Sequence, residues 1–198
     1  MKTFLFGNAK GKAQIVARIA IMLALTLLVQ WLTGLAGIQL LTGSFVNLFI
    51  LITTLLCGLI GGIVVGLITP FLGFLLGFGG AVLALVPLIS LANILLAAVF
   101  AFVSKLFKVS ERHGVLYIVF TVIAVVAAAA VKFLFMYFVG AKLFMPYLLT
   151  IGTIKQPMME KLSQAWGTLQ LFTALIGGAA ATALSIPLRK LSIFGAAE

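Results

Sequence analysis

Between Arg18 and Lys105 the chain carries no charged side chain at all. A membrane-crossing helix needs about 20 consecutive apolar residues, so this stretch alone has room for four. Inside a bilayer every backbone N–H and C=O must be satisfied within the protein, which restricts spanning segments to helices or closed barrels. The run lacks the roughly 10-residue alternating segments of an outer-membrane barrel. Composition agrees: 64% of the residues are hydrophobic and 8% are charged, against about 25% charged in an ordinary soluble domain. The chain reads as an all-α integral membrane protein.

The punctuation of the apolar runs predicts six spans in a single domain, 1–198, with short tails over about 1–14 and 188–198. The first span covers 15–33. Residues 34–44, with Gly34, Gly37 and Gly43, read as an outer loop or bend. The second span, 45–59, turns at Gly58, Gly61 and Gly62 into a third, 63–78, which Pro70 should kink. The fourth span runs from Pro87 to 104. A charged loop with Lys105, Lys108, Glu111, Arg112 and His113 leads to the fifth span, 115–139. Residues 140–166 read as the longest loop, and 167–187 as the sixth span. Orientation follows from Lys and Arg. With both ends inside, the inner segments hold nine, namely Lys2, Lys10, Lys12, Arg18, Lys105, Lys108, Arg112, Arg189 and Lys190. The outer loops hold Lys142, Lys155 and Lys161. Both termini are therefore expected in the cytoplasm, and the net charge of +10 reports this orientation and not nucleic-acid binding.

Catalytic chemistry has little to work with. The single histidine, His113, lies in the charged loop, and with the single cysteine, Cys57, it makes no metal set. The acids Glu111, Glu160 and Glu198 all fall outside the spans. Neither a hydrolase base, a phosphate-binding glycine loop nor a cofactor motif is present. Lys132 is the exception: it is the one charged residue of the fifth span. A lysine at the centre of a membrane helix costs about 2.5–3.5 kcal/mol on insertion scales, so it faces a cavity or a partner, or snorkels to the headgroups. At 1.5 Å per residue Lys132 lies about 10 Å from the outer end of its span, Asn93 about 9 Å, and Gln170 and Thr173 about 5–9 Å. Trp166 and Tyr137 lie close by. An apolar pocket with a few placed polar groups is what a small-molecule site looks like. Interhelical hydrogen bonds for Asn93 and Gln170, and an interfacial place for Trp166, remain the plainer alternatives. In the first span Ala13, Ala17, Ala20 and Ala24 form one small-residue stripe that permits close helix approach.

ARIAIMLAL in the first span, GLIGGIVVGLITPFLGFLLG across the second and third, PLISLANILL in the fourth and TLQLFTALIGGAAATAL in the sixth occur in that order. Over about residues 13–190 the chain resembles the substrate-binding S components of energy-coupling factor (ECF) transporters. The resemblance implies a non-catalytic subunit that binds a vitamin or related micronutrient from outside. It implies docking through Ala17, Ala20 and Ala24 onto a transmembrane coupling subunit that carries two cytoplasmic ATPases, in a prokaryotic cell membrane. It implies a pocket in the outer halves of the fourth to sixth spans, with Lys132, Asn93, Gln170, Thr173, Trp166 and Tyr137 as candidate substrate contacts and no metal. A positive charge without an acid favours an acidic or electron-rich neutral ligand. A stand-alone permease and a non-catalytic membrane assembly protein are the competing readings.

Overall fold

The computed structural model describes residues 11–77 and 82–190. These are helical nearly throughout: α1 (Lys12–Leu35), α2 (Gln39–Leu75), α3 (Val86–Leu106), α4 (Gly114–Phe135), α5 (Met145–Thr150), α6 (Gln156–Ala165) and α7 (Thr168–Lys190). A π-helical stretch, Met136–Phe144, joins α4 to α5. Five stretches among the described residues are long and apolar enough to cross a membrane. The expected tails fall largely outside the described residues.

The 37-residue α2 is two helical segments that meet at Gly58, whose φ of +70° is not helical. Only glycine adopts that conformation without steric cost. The chain reverses there. In a continuous helix residues eight apart are separated by about 12 Å, yet a Cβ on Gly61 would lie 3.2 Å from Thr53 Cγ2, and one on Gly62 would collide with Thr54 Oγ1. Gly58 makes the turn, and the other two glycines let its arms close. Arg18 of α1 donates to the Leu56 carbonyl at 3.4 Å, just before the reversal.

Two expected loops are shorter in the structure. The bend over 34–44 contracts to the turn around Gly37, at φ +67°, because Gly43 sits inside a helix against Thr173, where a Cβ would come within 2.8 Å of its Cγ2. Thr42 donates to Thr33 Oγ1 at 2.8 Å and ties the two helices across that turn. The long loop over 140–166 is mostly helix. Gly140 is not a breaker: it lies beneath the Trp166 ring, 2.5 Å from Cε3 to its ideal Cβ position. Pro146 enters in the first turn of α5. The wide turns of the π-helical stretch bring the chain to it.

α2 is the centre of the bundle. Its most apolar stretch is 67% buried, whereas that of α1 is 6% buried. α1 packs chiefly on α2, which also meets α3 and α7, while α4 closes the ring between α3 and α7. The main core gathers Ile50, Leu51, Leu96, Phe100, Ala128 and Ala174. A second core, with Leu85, Met136, Met145, Leu148, Ile154 and Trp166, lies under α5 and α6. Close approach of α7 rests on Gly177, whose Cβ would meet the Ser44 carbonyl and come within 2.9 Å of the Leu48 nitrogen, and on Gly178 against Val125.

Backbone atoms cannot move aside as a flexible side chain can. Gly177→Val should therefore destabilise the purified protein by about 1–3 kcal/mol, the usual cost of overpacking. Gly11→Ala, which meets nothing within 4 Å, should leave the unfolding midpoint in place. Equal midpoints for the two variants would show that α2 and α7 do not approach this closely.

Candidate binding site around Lys132

The buried stripe of α4 runs through Thr121, Val125, Ala128, Ala129, Lys132 and Met136 at helical spacing. Lys132 is therefore carried inward by the same periodicity that buries its apolar neighbours. Ala128 and Ala129, one turn before it, are buried small residues. The side chain is only 4% exposed. Its ammonium donates to Asn47 Oδ1 at 2.6 Å and to Asn93 Oδ1 at 2.7 Å. It thereby ties α4 to α2 and α3.

Both amides are oriented from behind. Pro70 has no N–H, so the Gly66 carbonyl has no partner four residues on. Asn93 Nδ2 donates to that carbonyl at 3.3 Å. Ser90, one turn earlier on α3, donates to the adjacent Leu67 carbonyl at 3.0 Å. Gly66 lets α3 come this close, since its Cβ would lie 3.1 Å from Asn93 Cβ. Asn47 Nδ2 donates to Thr173 Oγ1 at 3.3 Å, and the Thr173 hydroxyl donates to the Gln170 carbonyl at 3.0 Å. Each amide spends its nitrogen away from Lys132 and turns its oxygen toward the ammonium. The network fixes both assignments, because a reversed amide would set an N–H against N–H₃⁺.

An ammonium has three donors, and Asn47 and Asn93 take two. No acidic side chain pairs with Lys132 among the described residues. Two amide dipoles solvate the cation and do not neutralise it. In a low dielectric such a charge repels cations and attracts an anion strongly. A carboxylate or phosphate oxygen on the third N–H would gain a charge-assisted hydrogen bond.

Of the residues expected here, Lys132, Asn93 and Thr173 share one buried network. Gln170 enters it through its backbone carbonyl; its side chain is half-buried. Trp166, 3% exposed, is a core residue above Gly140. Gly140 is eight residues beyond Lys132 along the same helical run, so Trp166 lies beyond the ammonium, towards the end of the bundle that carries α5 and α6. Tyr137 is not brought to the ammonium. Five positions on at about 100° each turn it well off the Lys132 stripe, where it stacks with Phe133 at 5.8 Å and lies under the Lys142 ammonium at 5.4 Å. Asn47 was missing from the sequence-based set. With the second span started at 45, Asn47 falls at the membrane surface; α2 starts at Gln39, which puts Asn47 about 12 Å along the helix and level with the others. Ala13, Ala17, Ala20 and Ala24 are all exposed on the outside of α1. Among the described residues no group of three or more His, Cys, Asp and Glu could hold a metal.

The family model described as "ECF transporter, substrate-specific component" matches residues 14–189. No curated protein and no solved structure matches the chain significantly.

The geometry makes Asn93 and Lys132 energetically dependent on each other. Asn93→Leu leaves both the ammonium and the Gly66 carbonyl short of a partner, whereas in a Lys132→Met background only the carbonyl suffers. A double-mutant cycle read by unfolding in detergent should give a coupling of about 1–3 kcal/mol. Additive effects would show that the 2.7 Å contact carries no energy.

Proposed function

The chain belongs to the substrate-specific components of ECF transporters, and from that premise we propose that it captures an acidic or electron-rich neutral micronutrient, a vitamin or a relative of one, above Lys132. It is a substrate-binding membrane subunit, and ATP hydrolysis lies in other subunits of such transporters. The observation that carries the substrate reading is the Lys132 ammonium. It is buried, held by two amide oxygens, supplied with one further N–H and faced by no acid. A cationic ligand would be repelled there. Asn47, Asn93 and Thr173 hold the ammonium in place, and Trp166 with the apolar cluster beneath α5 and α6 covers the outer side.

The reversal at Gly58 supports six crossings, with α2 counting as two. The excess of Lys and Arg at the ends that include Arg18, Lys105 and Arg189 supports both termini in the cytoplasm of a prokaryotic cell. The exposed alanine face of α1 fits a coupling subunit that carries two ATPases, since small residues let a partner helix approach within van der Waals contact.

The small molecule that co-purifies, identified by mass spectrometry, should carry a carboxylate, a phosphate or an electron-rich polar group. Lys132→Met keeps most of the stem's volume and removes the charge. It should weaken ligand binding by about 2–5 kcal/mol, as truncation of one partner of a buried charge pair does, while the protein still inserts. The same hydrogen bonds would serve a lysine that only ties three helices together. Unchanged affinity in Lys132→Met selects that reading and removes the anionic site.

Docking is tested separately. Ala20→Trp should abolish uptake in cells that contain the whole transporter and leave ligand binding by the isolated subunit intact. Parallel loss of both would place the stripe inside the fold of this subunit.

A further inference from the structure

Far from Lys132, at the basic end of the bundle, α7 finishes beside the start of α4. Between them is a groove of about 420 Å³, lined by His113, Val115, Tyr117, Ile118, Ile186 and Arg189 among others. The Arg189 guanidinium lies 4.1 Å from the centroid of the Tyr117 ring. One of its terminal amines donates to the Ser110 carbonyl at 2.9 Å. Tyr117 is itself anchored, its hydroxyl donating to Ser185 Oγ at 2.6 Å. Arginine has five N–H donors in a planar fork, so a stacked, tethered guanidinium with one bond spent still offers most of them in a fixed plane. Among the described residues no carboxylate pairs with it. Charge at this end is one-sided: Lys105, Lys108, Arg112 and Arg189 stand against Glu111.

We propose that this groove binds the headgroup of an anionic phospholipid. The Arg189 fork matches phosphate oxygens two at a time. The other walls decide between a lipid and a soluble anion. Val115 and Ile118 are exposed and Ile186 is half-buried, and all three continue the apolar surfaces of two helices long enough to span the membrane. A free phosphate would leave those walls in water, whereas a phospholipid lays its acyl chains along them. The groove is large enough for a phosphoglycerol head and lies where spans give way to charged loop, at headgroup depth. Anionic lipid is concentrated in the cytoplasmic leaflet, the side expected of this end.

The test uses the full chain, delipidated in detergent and offered phosphatidylglycerol or phosphatidylcholine, with retention read by native mass spectrometry. The wild type should retain phosphatidylglycerol preferentially. Arg189→Gln should lower that retention about fivefold, the weight of one basic residue at an anionic surface. Arg189→Lys, which keeps the charge and loses the fork, should fall between them. Lys161→Gln, exposed at the opposite end, should match the wild type. A folded Arg189→Gln that holds phosphatidylglycerol as the wild type does would overturn the proposal. So would displacement of the lipid by inorganic phosphate, which would make this a soluble-anion site. If Arg189→Gln does not fold, wild-type retention against salt decides: a steep fall supports the headgroup contact, and no dependence overturns it.

Discussion

A single missing N–H organises the polar centre of this protein. Pro70 leaves the Gly66 carbonyl without a helical partner, and in a membrane that carbonyl has no water to turn to. Asn93 supplies the donor. In doing so it commits its nitrogen, and its oxygen is left to face Lys132. The missing N–H and the cation are thus two ends of one arrangement. The proline in the second arm of α2 also dictates which atom of α3 meets the ammonium of α4. Asn47 and Thr173 complete it from the other side through α7. Four helices that share only apolar surfaces could slide past one another; the donors and acceptors between them fix their register.

Such a centre is expensive if stability is its only purpose. A buried ion without a counter-ion loses hydration that two amides recover only in part. An apolar residue at position 132 would insert more readily and pack as well. The proposed ligand recognition at Lys132 gives that cost a purpose, because it is incurred in a form that leaves the charge unneutralised. An acid beside Lys132 would have made a better structural pair and a worse anion receptor. Arg189 shows the contrasting solution at the membrane edge. Its charge is stacked on an aromatic ring and bonded to a carbonyl, so it stays wet on one side and needs no buried partner.

Much of this was legible in the sequence. The uncharged run, the all-helical membrane class and the inward facing of Lys132 follow from charge placement alone, because hydrocarbon penalises charge so heavily. Glycine was the residue most often misread. Gly43 was read into a loop and Gly140 fell at the edge of another; each lies within a helix where another side chain needs the space of a missing Cβ. Sequence shows the absence of a side chain but not whether the backbone or a neighbour uses it. That ambiguity moved the start of α2 by six residues and took Asn47 out of view. Tyr137 erred the other way. Depth along an axis can be counted from sequence, but facing also depends on angle, and a shared depth placed it beside Lys132 when the helix turns it aside.

The placement of α2 connects recognition with docking in physical terms. α1, the helix with the exposed alanine face, joins the bundle chiefly through α2, and Arg18 of α1 reaches the Leu56 carbonyl of α2 at the Gly58 reversal. Asn47, which holds Lys132 directly, is on the same arm of α2 as Leu56. On the proposed reading, a ligand on the third N–H of the ammonium alters its bond to Asn47 and so acts on the element against which α1 is chiefly seated. Binding can shift docking only by as much as the ligand's affinity differs between arrangements of that element. Asn47 is where such a difference would arise, because it alone links the cation to both α2 and α7. The arm's glycine-marked end, at Gly58, is where the backbone has the freedom to respond.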